Sequence, residues 1–275
     1  MSTEPILRAE DHRAWDGWMR AARIHRRTRQ YVRVVDTAKR VAAEALEKGV
    51  APSVSYSGGK DSTALTHLVC VELGAAPRVV VHSEKDDLDY PGEEAYVREH
   101  ATAWGLRLNI LRPPTSPVEW IAKRAARMSG DDDVHGRTAG LSKACFYGVM
   151  EAADREHDVS FLGLRMEESG VRKILLASRG LLYQLKSGLW RCNPLGHWRG
   201  IDVYAYLDQH GIEPLSVYRC VGWLPEHRQN PALIRKSWWL PGIHARHGQT
   251  AWLRHYYPSL YERYRSWFPD AASFT

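Results

Sequence analysis

The chain is poor in cysteine. Four, at Cys70, Cys145, Cys192 and Cys220, are scattered over 275 residues with no CxxC or CC pair. A local zinc knuckle or iron–sulfur cluster therefore has no support in the sequence, and no iron–sulfur cofactor is expected. Thiols this few and this scattered read as reduced, which points to a cytoplasmic protein. No apolar run reaches membrane-spanning length, and the opening MSTEPILRAEDHRAW lacks the apolar core of a secretory signal; no membrane partner is expected. There is no internal repeat and no low-complexity tract. His82 and His197 have no partner at metal-ligand spacing. The two commonest phosphate loops, GxxxxGK[ST] and GxGxxG, are absent as well.

What remains is an ordinary globular balance, with 44% hydrophobic and 25% charged residues. The net charge of +6 favours anionic partners such as nucleotides or nucleic acid. Eleven tryptophans, several near the C-terminus, imply large aromatic packing or stacking surfaces.

Residues 8–48 read as helical, with Trp15, Met19, Ile24, Tyr31, Val35, Ala38, Val41 and Leu46 at helical spacing and Gly49 as a stop. The Arg-rich face of this stretch (RIHRRTRQYVR) is either solvated or a phosphate-contact surface. From Pro52 strands and helices alternate: strands at 53–57, 78–83, 106–111 and 159–165, helices at 62–74, 91–104, 116–128 and 141–157, and a polar connector at 130–140. The run RVVVHS is apolar throughout, as in a strand covered on both faces. This βαβα order predicts an α/β fold, a parallel twisted sheet with helices on both faces and ligands at the carboxyl ends of the strands. Past residue 172 the alternation is expected to stop, with a hairpin around Lys186–Gly188, a short helix at 200–211 and a basic, aromatic, partly helical tail. The domains expected are an N-terminal helical extension (1–50), an α/β nucleotide-binding domain (51–218) and a C-terminal extension (219–275).

The stretch SYSGGKDSTALTHL (55–68) lies between the first strand and the first helix of that alternation. Gly58 and Gly59 allow the backbone turns that aim N–H groups at a phosphate. The start of the helix adds unpaired donors and a positive dipole end. Ser57, Ser62 and Thr63 offer hydroxyls and Lys60 a charge. Asp61 would be repelled by bare phosphate, so its presence suggests a divalent cation, Mg²⁺, or a water to hold.

SGGKDS resembles the PP-loop of the adenine nucleotide α-hydrolase superfamily, the ATP pyrophosphatases. FLGLRMEESGVR resembles the GxRxxES…R element of the phosphoadenylyl-sulfate reductase family and of the small subunit of sulfate adenylyltransferase. NPLGHWRGIDVYAYLDQHGIEPLSVY is similar to a further segment of the same group, so the likeness spans residues 53–218. The resemblance implies a PP-loop, HUP-like fold and a nucleotide, ATP or an adenylyl sulfate, as ligand. It assigns the phosphate or sulfate end to Ser57, Gly58, Gly59, Lys60, Asp61 and Ser62, and the adenine to Tyr56 and His82–Ser83–Glu84. It assigns anion contacts to Gly163, Arg165, Arg172 and Lys143, with Lys60, Asp61 and Arg165 as the catalytic set. From the residues alone, an ion pair of Arg165 with Glu167 or Glu168 is the lesser alternative to an anion contact, and Trp198 reads as a packing residue.

Two departures qualify the likeness. The reductases attack sulfur with a cysteine in a motif like ECGLH, and no cysteine follows Cys220 here. After the second strand, HSEKDDLDYPGEEAYV replaces the reductases' DTGYxFPET. The leading expectation is attack on the α-phosphorus of ATP with release of pyrophosphate, in sulfur metabolism or sulfur transfer, with nucleic acid or a partner subunit among the partners. The alternatives are a thiol-dependent reductase using Cys145 or Cys220, or a non-catalytic nucleotide-binding subunit of a larger complex.

Overall fold

A computed structural model describes residues 4–75, 78–82, 90–112, 151, 153–223, 229–234, 248–267 and 269–274. The helices expected at 116–128 and over most of 141–157, the polar connector, Ser83, Glu84, Lys143 and Cys145 lie outside these residues. The first helical stretch is two helices, α1 (Ala9–His25) and α2 (Arg29–Leu46). They divide at Thr28, whose extended backbone (ψ 148°) and side chain, accepting from the Tyr31 N–H at 3.2 Å, begin a new helix. No glycine or proline marks that break, so periodicity alone runs through it.

The sheet comprises β1 (Pro52–Ser55), β2 (Arg78–His82), β3 (Arg107–Leu111), β4 (Val159–Phe161), β5 (Leu182–Gln184) and β6 (Trp190–Cys192). Their order is β3-β2-β1-β4-β6-β5. All neighbours are parallel except β5 and β6, the predicted hairpin. Between them run α3 (Lys60–Thr66), continued by a π-helical turn (His67–Glu72), then α4 (Glu93–Ala103) and α5 (Gly170–Arg179); α6 (Gly200–Gln209), α7 (Gln249–Tyr256) and α8 (Pro258–Trp267) follow the last strand.

The sheet does not stop at residue 172. Ser169 accepts from the Arg172 N–H and opens α5, which returns the chain so that β6 pairs in parallel with β4. Helix α5 buries Leu176 and leaves Val171 and Ile174 exposed.

One apolar core joins all three regions. It includes Trp15 and Met19 of α1, Tyr31 and Val35 of α2, Val54 and Phe161 of the strands, Tyr204 and Tyr206 of α6, and Trp252 and Tyr256 of α7. Trp198 is buried in it and donates to the Val34 carbonyl at 3.1 Å, a packing role.

Asp11, fully buried, ties the two ends of the chain together. Its Oδ1 accepts from the Gly222 N–H (2.7 Å) and the Tyr256 hydroxyl (2.6 Å), and its Oδ2 from the Arg8 N–H (2.9 Å). Asp11→Ala deprives these buried donors of their acceptor and is expected to cost about 2 kcal/mol. Urea unfolding measures it, and an unchanged midpoint would show that water replaces the carboxylate.

Candidate functional site

Strands β1, β2 and β4 run in parallel, so their carboxyl ends share one edge of the sheet. The Ser57–Ser62 loop follows β1, His82 ends β2, and Gly163 and Arg165 follow β4. The loop is tightly built. Ser62 Oγ donates to the Gly59 carbonyl (2.9 Å) and accepts from the Ser57 N–H (3.2 Å), while the Thr63 N–H bonds the Gly59 carbonyl (2.8 Å). Gly58 sits at φ +74°, and an added Cβ would lie 3.0 Å from Val97 and 3.1 Å from Glu93. Conformation and space therefore both require glycine there. Among the described residues, the amides of Gly58 and Gly59 have no hydrogen-bond partner. Those two donors lie at the start of a helical segment, the arrangement that receives anions.

Behind the loop lies an ion cluster. Arg165 (1% exposed) donates from Nε to Asp61 Oδ1 at 2.6 Å and from Nη1 to Glu167 Oε2 at 2.6 Å. Lys60 (3% exposed) donates from Nζ to Asp61 Oδ2 at 3.0 Å. Glu167 Oε2 also accepts from the Gly200 N–H at 2.6 Å, which joins the cluster to the start of α6. Burial pushes the Asp61 carboxyl up, but Lys60 and Arg165 outweigh it and hold the group below the usual carboxylate range. Burial likewise disfavours the charged Arg165, and Asp61 with the two glutamates more than restores it. Gly163 allows the close approach: a Cβ there would stand 3.3 Å from the backbone of Asp61 and Ser62.

The remaining sequence-predicted residues are placed unequally. Arg172 pairs with Glu168 and is partly exposed. The Tyr56 side chain is fully buried and stacks on Trp104 (centroids 6.3 Å apart), so it packs the core under the loop rather than presenting a face to a base. His82 ends its strand at the expected edge. Both Asp61 oxygens are held by cations, so Asp61 is placed to orient Lys60 and Arg165, and this arrangement does not fit a direct Mg²⁺ ligand. On the Arg-rich face, Arg23 and Arg26 pair with Asp208, while Arg27, Arg29, Arg33 and Arg40 line a groove of 490 Å³ with Asp36 among them.

Tyr218 was missed as a site residue, although it closes the last of the quoted segments. Its hydroxyl accepts from the Lys60 N–H at 3.0 Å, and Lys60 Nζ lies 5.0 Å from the centre of its ring. The Ile234 carbonyl also accepts from Lys60 Nζ, at 3.4 Å. The three described cysteines, Cys70, Cys192 and Cys220, are free and buried, and burial pushes each thiol up, Cys70 to about 12.

The model of the phosphoadenosine phosphosulfate reductase domain matches residues 51–221, which contain the loop, the ion cluster and Tyr218. The chain belongs to that family. Phosphoadenosine phosphosulfate reductase domains belong to an enzyme family with a PP-loop α/β fold, and this chain shares both attributes. No curated protein matches the sequence. Among solved structures, a phosphoadenylyl-sulfate reductase from Candida auris in complex with phosphate is 16% identical, with a TM-score of 0.47 over 68% of this chain and 89% of that one. FMN adenylyltransferase of Candida glabrata in complex with ATP is 16% identical, with a TM-score of 0.48 over 78% and 70%. A U34-tRNA thiolase of Methanococcus maripaludis with its [4Fe-4S] cluster is 14% identical, with a TM-score of 0.43 over 66% and 64%. These likenesses are distant and do not choose among reactions. No described helix is long and apolar enough to cross a membrane.

Proposed function

We propose that the chain is an adenine-nucleotide enzyme that takes the phosphate end of ATP, or the sulfate end of an adenylyl sulfate, in the Ser57–Ser62 loop. The observation that carries this reading is the pair of amides at Gly58 and Gly59 that lack a partner among the described residues, set against the buried Lys60–Asp61–Arg165 cluster. With ATP, an acceptor forms a bond to the α-phosphorus as the bond to the bridging oxygen of pyrophosphate breaks. The electron pair leaves with pyrophosphate, whose growing charge falls on the loop amides and Lys60. Asp61 holds Lys60 and Arg165 in place, and no step runs through Mg²⁺.

A described thiol as the attacking group is disfavoured, because a thiolate is the nucleophile and burial keeps Cys220 protonated. The acceptor is accordingly a second substrate, in sulfur metabolism or sulfur transfer, with the exposed arginines of α2 offering a surface for nucleic acid.

A binding panel of ATP, adenylyl sulfate and its 3′-phosphorylated form, joined to a pyrophosphate-release assay with candidate acceptors, tests the reading. Binding with release is the expected result. Binding without release under any acceptor would favour a nucleotide-binding subunit, and sulfite production lost in Cys145→Ser or Cys220→Ser would favour the thiol-dependent reductase.

A further inference from the structure

Away from the loop, His67, Glu72 and His210 each point one ligand atom into a common space, with the three atoms within 4.8 Å of one another. We propose that these three side chains form a Zn²⁺ site that clamps the far end of the loop helix to the far end of α6.

The π-helical turn makes the set possible. In an α-helix, residues five apart lie about 140° apart around the axis. The i→i+5 geometry of His67–Glu72 brings them close to one face instead, and such turns recur at functional positions. His210 follows the last turn of α6 and places Nδ1 3.7 Å from Glu72 Oε1. The His67 and His210 rings lie 4.6 Å apart between centroids.

The surroundings match those of metal-binding side chains. His67 Nδ1 is bonded to the Tyr206 hydroxyl at 2.9 Å, which fixes the ring, as partners of ligating histidines do. Lys39 Nζ holds Glu72 Oε2 at 2.5 Å and leaves Oε1 turned toward His210. Lys39 is 37% exposed, so its ammonium can withdraw toward solvent when a cation arrives. Two imidazoles and one carboxylate, with water as a fourth ligand, suit tetrahedral Zn²⁺. With bonds near 2.1 Å, ligand atoms sit roughly 3.4 Å apart, so side-chain movements of about 1 Å close the set.

The position gives the metal a structural role. The helical segment beginning at Lys60 and helix α6 beginning at Gly200 both start at the ion cluster and both end at these three residues. A cation joining their far ends holds their near ends in register.

The test uses the full chain stripped with EDTA and titrated with Zn²⁺ against a competing chelator, with Co²⁺ as a spectroscopic probe. One equivalent of Zn²⁺ should bind, Co²⁺ should give the visible bands of tetrahedral coordination, and saturating Zn²⁺ should raise Tm by roughly 5–10 °C. His210→Ala and Glu72→Gln should each weaken binding about 100-fold or more, while His100→Ala, a nearby histidine outside the set, should bind as the parent does. His67 is buried, so His210 and Glu72, both at the periphery, carry the test if its variants fail to fold. Absence of tight binding by the parent overturns the proposal. Binding that survives both His210→Ala and Glu72→Gln does so too, because the ion would then lie elsewhere.

Discussion

Arg165→Ala is expected to destabilise the chain by about 3–5 kcal/mol. The guanidinium is 1% exposed and holds Asp61 on one side and Glu167 on the other. Its removal leaves Asp61 with Lys60 as its single cationic partner among the described residues and frees the carboxylate that orders the start of α6. Because Asp61 has a lowered pKa in the folded state, it contributes stability above its unfolded pKa and loses it as the pH falls through the folded value. For the parent that loss lies below about pH 4. Without Arg165 the carboxyl rises, so the acid-unfolding midpoint should move to higher pH. Urea melts at pH 7 and acid titrations followed by circular dichroism measure both effects. Asp61→Asn combined with Arg165→Ala should cost less than the two single changes added together. Strict additivity and an unmoved acid midpoint would mean that the cluster is no energetic unit.

Lys60→Ala is expected to lower pyrophosphate release by about 100- to 1000-fold and to weaken nucleotide binding, with a smaller fall in stability than Arg165→Ala. Lys60 Nζ is held by Asp61 and the Ile234 carbonyl over the ring of Tyr218. An incoming phosphate exchanges the neutral carbonyl for a charged acceptor, a stronger bond. Lys60→Arg should not restore the rate, since a planar fork does not replace a compact ammonium in a 3%-exposed slot. Calorimetric titration with nucleotide alongside the release assay separates binding from chemistry. Unchanged values in both would remove Lys60 from the site.

Much of this was legible in the chain itself. The run of valines in β2, the strand–loop–helix around Gly58 and Gly59, and the hairpin at Lys186–Gly188 are local signals, and each appears as an element. Arg165 was open to two readings, as anion contact or as ion-pair partner, and the structure places it in the pair with Glu167 and in a second one with Asp61, 104 residues away. Tyr56 was misjudged because adjacency to the loop says nothing about which way a side chain turns, and it turns into the core. The break at Thr28 was missed because no glycine or proline marks it, whereas helix α5 was missed although Val171, Ile174 and Leu175 stand at helical spacing.

The sequence by itself determined the alternation of strands and helices, the family, and the position of a glycine loop where only glycine fits. Those properties rest on neighbouring residues: hydrophobic period, turn chemistry and backbone freedom. The tertiary structure alone decided which charges neutralise which, that Tyr218 and Ile234 close over Lys60, and that His67, Glu72 and His210 converge. The physical reason is that burial and charge pairing depend on distance through space. Lys60 and Ile234, or Glu72 and His210, are far apart along the chain and become neighbours only when the core brings their helices together.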